Sequence, residues 1–236
     1  MMIRMSLYGV LLLLVTVACN QPEQKAGAAE EKSGQPASRQ PPASLKHIVF
    51  FGNSLTAGYG LNLSEAFPAL IQAKIDSLRL PYKVINAGLS GETTAGGNSR
   101  IDWILKQPVD IFVLELGGND GLRGIPLEST KKNLQEILNK VREKYPNAQI
   151  LLAGMRVPPN MGKTYSEKFQ SVYSSLANDN AIALIPFLLE GVGGEPRLNQ
   201  ADGIHPTAEG QKIVAENVWT VLKELLSDKN RVAVSE

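Results

Sequence analysis

Four short stretches of this chain carry the residue types that acyl transfer needs. The first is Gly52-Asn53-Ser54-Leu55-Thr56-Ala57-Gly58. Its serine can act as a nucleophile once a base takes the hydroxyl proton. The flanking glycines suit a tight strand-to-helix turn, where a serine can equally serve only as a helix cap. The second stretch, Asn86-Ala-Gly-Leu-Ser90-Gly91-Glu92-Thr93, offers a glycine at position 91. Gly91 can present an unobstructed backbone N–H to a developing oxyanion, or it is a plain loop glycine before a capping pair. The third is Gly117-Gly118-Asn119-Asp120. The amide of Asn119 suits oxyanion stabilisation, although a Gly-Asn turn needs no function.

The fourth stretch is Asp202-Gly203-Ile204-His205-Pro206. A residue before proline is pushed away from helical geometry, which lets the His205 ring face a cleft. Pro206 fits the first position of a following helix. Asp202, three residues earlier across a turn, can accept the proton of one ring nitrogen. That fixes the tautomer and leaves the other nitrogen free to take a proton from a serine. The plainer alternative is a histidine near a helix start with Asp202 as its cap.

Counts narrow the chemistry further. The chain has one cysteine, Cys19, and two histidines, His47 and His205. Disulfides within the chain, cysteine-rich zinc sites and a cysteine nucleophile inside the domain are thereby excluded. The spacing of the two histidines does not suggest a metal site. No metal or organic cofactor is called for. Lys and Arg number 24 against 23 Asp and Glu, and one of the 24, Arg4, lies in the N-terminal segment. The rest of the chain balances, with no basic run, so nucleic acid is not an expected partner.

The elements that must position these residues occupy only part of the 236-residue chain. Residues 1–18 read as a secretory signal peptide, with Arg4 before the apolar run Leu7 to Val17, which is short for a membrane span. Cys19 follows Val17-Ala18 directly and resembles the cysteine of a bacterial lipobox, which is lipidated and becomes the mature N-terminus. Thr16 departs from the aliphatic residue usual in that motif. Residues 20–44 lack aromatic residues and are rich in Gln, Ala, Glu, Pro, Ser and Gly. Such a segment cannot bury enough apolar surface to fold. The expected organisation is a signal peptide (1–18), a lipidated cysteine with a flexible linker (19–45), a hydrolase domain (46–228) and a C-terminal tail (229–236). The expected location is the bacterial envelope, anchored by lipid after secretion across the inner membrane. Asn20 points to the outer membrane and leaves the leaflet open.

From Lys46 onward, strands alternate with helices. His47 to Phe51 is a continuous apolar run, as in a strand buried on both faces. Further strands are expected at Lys83–Asn86, Asp110–Leu116, Gln149–Ala153 and Ile182–Ile185. Helices are expected over 63–79, 94–106, 128–144, 164–179 and 207–226. This order makes a parallel sheet with helices on both faces and right-handed crossovers. Ligands of such a sheet bind outside the carboxyl ends of its strands. All four stretches fall there or lead into the last helix, so they converge on one edge. Together they supply a nucleophile, two oxyanion donors, and a base with its orienter.

Ser54, Gly91, Asn119 and His205 also fall in the four blocks of the SGNH, or GDSL, hydrolase superfamily, which residues 46–226 resemble over nearly their whole length. Glu115-Leu-Gly-Gly-Asn-Asp-Gly-Leu-Arg123, Arg156-Val-Pro-Pro-Asn160, Phe187-Leu-Leu-Glu190 and Asp202-Gly-Ile-His-Pro206 are similar to its secreted thioesterase I, lysophospholipase and arylesterase subgroup. The resemblance implies a single-domain, flavodoxin-like α/β/α fold with a five-stranded parallel sheet of order 2-1-3-4-5. It implies a Ser54-His205-Asp202 triad. It also implies an oxyanion hole from the Ser54 and Gly91 N–H groups and the Asn119 amide. One residue departs from the pattern. The family has Asp before the serine and this chain has Asn53, which keeps an acceptor but loses a charge. The turn is expected to survive, with some effect on the placing of the nucleophile.

Competing motifs fail. No Gly-x-Ser-x-Gly elbow and no Gly-x-Gly-x-x-Gly fingerprint after the first strand occur. Gly162-Lys163-Thr164 resembles the end of a P-loop, but Val157 stands where its first glycine belongs. The expected activity is hydrolysis of esters or thioesters, lysophospholipids included, through an acyl-enzyme on Ser54 in a monomer held at the membrane by its lipid. Two alternatives stand beside it: carbohydrate O-deacetylation on the same fold, and an inactive binding lipoprotein.

Overall fold

The computed structural model describes residues 45–226. The segments expected to be the signal peptide, the lipidated Cys19, nearly all of the linker and the C-terminal tail lie outside the described residues. Five parallel strands form one sheet: β1 (Lys46–Gly52), β2 (Tyr82–Gly88), β3 (Ile111–Glu115), β4 (Gln149–Ala153) and β5 (Ala183–Ile185). Their order is β2-β1-β3-β4-β5, as the family resemblance implies. Ile48, Val49, Phe50 and Phe51 of β1 are all essentially unexposed, which explains why that stretch is continuously apolar.

Alternate residues of β1 serve the two helical layers. Phe50 meets Phe67 of α2 (Phe67–Ser77) edge to face, with ring centroids 5.4 Å apart. Phe51 lies on the other side, under Gly97 of α3 (Thr94–Ile104). Helices α2 and α7 (Ala208–Leu226) pack together over one face of the sheet. Helix α3, α5 (Leu127–Lys144) and α6 (Lys163–Asn180) cover the other. Two further helices are very short, α1 (Ser54–Ala57) and α4 (Gly118–Leu122).

The register sets the functional edge. Gly52 of β1 lies level with Gly88 of β2 and with Glu115 of β3. The loops after these strands therefore leave the sheet side by side. Ser54, Gly91 and Asn119 follow those three residues within a few positions.

Two expectations need correction. The helix expected over 63–79 is broken into a 3₁₀ turn (Leu63–Glu65) and α2. Asn62 and Glu65 cap the turn, and Ala66 is extended, with ψ of 141°. Pro68 occupies the first turn of α2, where its missing N–H costs nothing. The free N–H of Phe67 is met instead by Gln211 Oε1 of α7 at 2.9 Å. Leu63, which the helical spacing places in the core, is 77% exposed. The second correction concerns Pro206. It does not start the last helix but forms an isolated bridge with Asn199, and α7 begins at Ala208 with Thr207 Oγ1 accepting from the Gly210 N–H.

Candidate active site

The turn after β1 is built on close approach. A Cβ on Gly52 would lie 2.1 Å from Thr56 Oγ1 and 2.5 Å from Glu115 Oε2, so only glycine lets α1 sit down on the strand ends. Asn53 caps α1, its Oδ1 accepting the Leu55 N–H at 2.9 Å. Ser54 is therefore the first residue of α1 and not its cap. This removes the plainer explanation for a serine at this turn.

Ser54 is buried, and its Oγ lies 2.8 Å from His205 Nε2. His205 Nδ1 lies 2.7 Å from Asp202 Oδ2. The other oxygen of Asp202 accepts the backbone N–H groups of Ile204 and His205, both at 3.0 Å. Hydrogen bonding to His205, helped by those two N–H groups, pulls the Asp202 carboxyl down to about 2. It stays ionised and remains an acceptor toward the ring. The ring is held on its flank by Tyr59, with centroids 4.6 Å apart. Gln200 ties this loop to the one after α1. Its Nε2 donates to Tyr59 O at 2.7 Å, and its backbone N–H donates to His205 O at 2.7 Å. His47 sits at the opposite end of β1, its N–H on Asp110 Oδ2, away from this edge.

The remaining two stretches join the same edge. Gly91 has φ of 79°, a left-handed conformation that favours glycine, and its carbonyl accepts from Arg123 Nη2 at 3.2 Å. Asn119, in α4, directs its Nδ2 to the Glu92 carbonyl at 2.9 Å. One proton of the amide is thereby fixed and the other is left for a ligand. Buried Asp120, next in the chain, accepts from the N–H and hydroxyl of Thr94 and so locks the start of α3 to α4. Arg100 does the same for the preceding loop, pairing with Glu92 and donating to Ala87 O at 3.0 Å.

A cleft of about 440 Å³ opens beside these groups. Ser54, Asn119 and His205 line it together with Leu122, Met155, Val157, Phe187, Leu189 and Ile204. Its walls are mainly apolar, contributed by the loops after β3, β4 and β5 and by the turn before His205.

A sequence model of the GDSL-like Lipase/Acylhydrolase family matches residues 50–213. The chain belongs to that family. Like other GDSL acyl hydrolases, it is a serine hydrolase of the ester/thioester type. It is 42% identical over 185 residues to Esterase TesA of Pseudomonas aeruginosa, covering 78% of this chain and 91% of that protein. It is 39% identical over 186 residues to Thioesterase 1/protease 1/lysophospholipase L1 of Escherichia coli, covering 78% of this chain and 87% of that protein. Among solved structures it is similar to the psychrotrophic esterase EstA of Pseudoalteromonas sp., in a form inhibited by monoethylphosphonate. The TM-score is 0.72 at 33% identity, over 77% of this chain and 98% of that one.

Within this GDSL hydrolase the five residues singled out from sequence, Ser54, Gly91, Asn119, Asp202 and His205, lie at one sheet edge. Sequence reasoning missed three contributors: Tyr59 against the imidazole, the apolar walls of the cleft, and Glu115. Glu115 is the one charged residue in β3, and a charge closing an apolar strand at the functional edge is the signal that would have found it. Burial pushes its carboxyl from 4.5 up to about 7, against the pull of hydrogen bonds from Thr56 and Asn53. A carboxyl raised in this way favours the fold most below its unfolded value and loses that contribution as the pH rises through about 7.

Proposed function

We propose that Ser54 is the nucleophile of an envelope-anchored hydrolase of acyl esters and thioesters, with His205 as its base and Asp202 as the group that orients the base. The observation that carries this reading is the line of contacts from Ser54 Oγ through His205 to Asp202, 2.8 Å and 2.7 Å long. Ionised Asp202 accepts the Nδ1 proton and leaves Nε2 as the acceptor facing serine. The substrate carbonyl carbon is attacked by Ser54 Oγ while His205 takes the serine proton. The negative oxygen is stabilised by the Ser54 and Gly91 N–H groups and by the unused proton of the Asn119 amide. His205 then protonates the departing alcohol or thiol. Water, deprotonated by His205, attacks the acyl-serine and releases the acid.

The oxyanion role of Asn119 has its own test. Asn119→Ala lowers kcat by about 10²–10³-fold, the scale of one lost donor, with KM and melting temperature little changed. A fully active variant would take Asn119 out of the mechanism.

The apolar cleft suits an acyl chain, and the names of the relatives, esterase, thioesterase and lysophospholipase, suggest the leaving groups. Residues 45–236, assayed on p-nitrophenyl acyl esters of graded length, acyl thioesters, lysophospholipids and acetylated glycans, are expected to cleave the first three classes. Turnover of acetylated glycans alone would replace this reading with a deacetylase, and no turnover at all would favour a binding lipoprotein.

Secretion and anchoring rest on the apolar run ending at Cys19. Cys19→Ser is expected to release the protein from membranes or to block its processing. Unchanged detergent partitioning together with unchanged acylation by mass spectrometry would refute the anchor.

A further inference from the structure

One buried ionisable group at the functional edge has no part in the chemistry above. Glu115 is 1% exposed. Its Oε1 accepts from Asn53 Nδ2 at 2.7 Å. Its Oε2 accepts from the Asn53 N–H at 3.0 Å and from Thr56 Oγ1 at 2.8 Å. All the partners come from the turn that carries Ser54. Asn53 is thus held at both ends of its amide. Nδ2 is fixed by Glu115, while Oδ1 accepts the Leu55 N–H at 2.9 Å and lies 3.4 Å from Ser54 Oγ. Glu115 approaches so closely that a Cβ on Gly52 would clash with its Oε2. Tyr173 of α6 and Asp120 of α4 are titratable side chains close by. The Tyr173 hydroxyl donates to Leu116 O, and burial first, then the charges of Asp120 and Glu115, oppose its ionisation.

We infer that Glu115 is a positioning residue for the nucleophile, acting through Asn53. On this inference, positions 53 and 115 form a matched acid–amide pair whose donor-to-acceptor polarity fixes where Ser54 Oγ stands. The inference rests on Ser54 being the nucleophile. The polarity makes it specific. In Glu115→Gln, one amide proton of position 115 must face either the Asn53 N–H or Asn53 Nδ2, donor against donor. In Asn53→Asp, which restores the family's residue, two carboxyls meet across the bond that is now 2.7 Å and share one proton, so an acceptor and a donor still face each other. The exchanged pair, Asn53→Asp with Glu115→Gln, rebuilds every bond. The new amide oxygen at position 115 would accept from the position-53 N–H and from Thr56. The new amide nitrogen there would donate to the carboxylate at position 53, so only the bridging bond would reverse.

The test compares kcat, KM, melting temperature and the rate of fluorophosphonate labelling for the parent, both single variants and the exchanged pair, from pH 5 to 9 on a short p-nitrophenyl ester. E115Q is expected to lose between about tenfold and 10²-fold in kcat and labelling rate, with KM little moved, as misplacement of a nucleophile requires. N53D, which restores the residue the family carries before the serine, is expected to keep near-parental kcat while the two carboxyls hold one proton between them. The exchanged pair recovers most of the E115Q loss. If E115Q does not fold, the exchanged pair carries the test: near-parent kcat supports the inference and loss of the fold overturns it. An exchanged pair no more active than E115Q overturns it, as does an E115Q that melts early yet keeps parental kcat below its melting temperature. Labelling of another residue in the parent would overturn the Ser54 reading and this inference together. An unrescued exchanged pair with Ser54 still labelled overturns this inference alone.

Discussion

Ser54→Ala is expected to lower kcat on the order of 10⁴–10⁶-fold while the domain stays folded, because the nucleophile is lost and nothing replaces it. The fold has little reason to suffer. The cap of α1 is the Asn53 side chain, so the serine is not needed to start the helix. Alanine at the first helical position is well tolerated. What alanine removes is a hydroxyl contact with His205, with a net cost of about 1 kcal/mol. Substrate should still bind, since the apolar walls of the cleft are untouched. Kinetics on an ester substrate, paired with a thermal melt, separate the readings. A variant that melts early but still turns over would make Ser54 structural and place the nucleophile elsewhere.

His205→Ala is expected to cost nearly as much, and Asp202→Asn somewhat less, on the order of 10⁴-fold. The geometry explains the second effect. Oδ1 of Asp202 is occupied by the N–H groups of Ile204 and His205, so an asparagine keeps its oxygen there and turns its Nδ2 toward the ring. Nδ1 must then accept, and the ring proton moves to Nε2, where it faces Ser54 as a donor and cannot take a proton. The defect is a wrong tautomer with the turn intact. Combining the substitutions with Ser54→Ala should cost little more than Ser54→Ala alone, because the three side chains act as one unit. Multiplicative losses in the double variants would show that they do not.

Much of this was legible in the chain because the chemistry sits where the pattern is strongest. The run Ile48 to Phe51 announces a strand buried on both faces, and the alternation of such runs with amphipathic helices forces a parallel sheet. Residues just beyond strand ends then become the candidates, and Ser54, Gly91 and Asn119 are found there. The strand order is a different matter. Alternation does not distinguish β2-β1-β3-β4-β5 from other orders, and it came from the family resemblance.

What the chain concealed has physical causes. Helices α1 and α4 are shorter than two turns and leave no periodicity to read. Leu63 fits a helical stripe but belongs to a 3₁₀ turn, because Pro68 restarts the helix beyond it. The partnership of Asn53 with Glu115 spans 62 positions and depends on the level register of β1 and β3, which no local pattern encodes. The cleft walls come from several loops whose side chains look like ordinary core residues until the sheet edge gathers them. The departure at Asn53 reads in sequence as a lost charge. In three dimensions it is an amide facing a buried carboxyl.

The most direct test of the central claim is reaction of residues 45–236 with a fluorophosphonate, followed by peptide mapping and residual activity on an ester substrate. One adduct per chain on Ser54, formed in step with loss of activity and absent from the Ser54→Ala variant, is the predicted result. Loss of activity with Ser54 unmodified, or with the adduct on another residue, would contradict it.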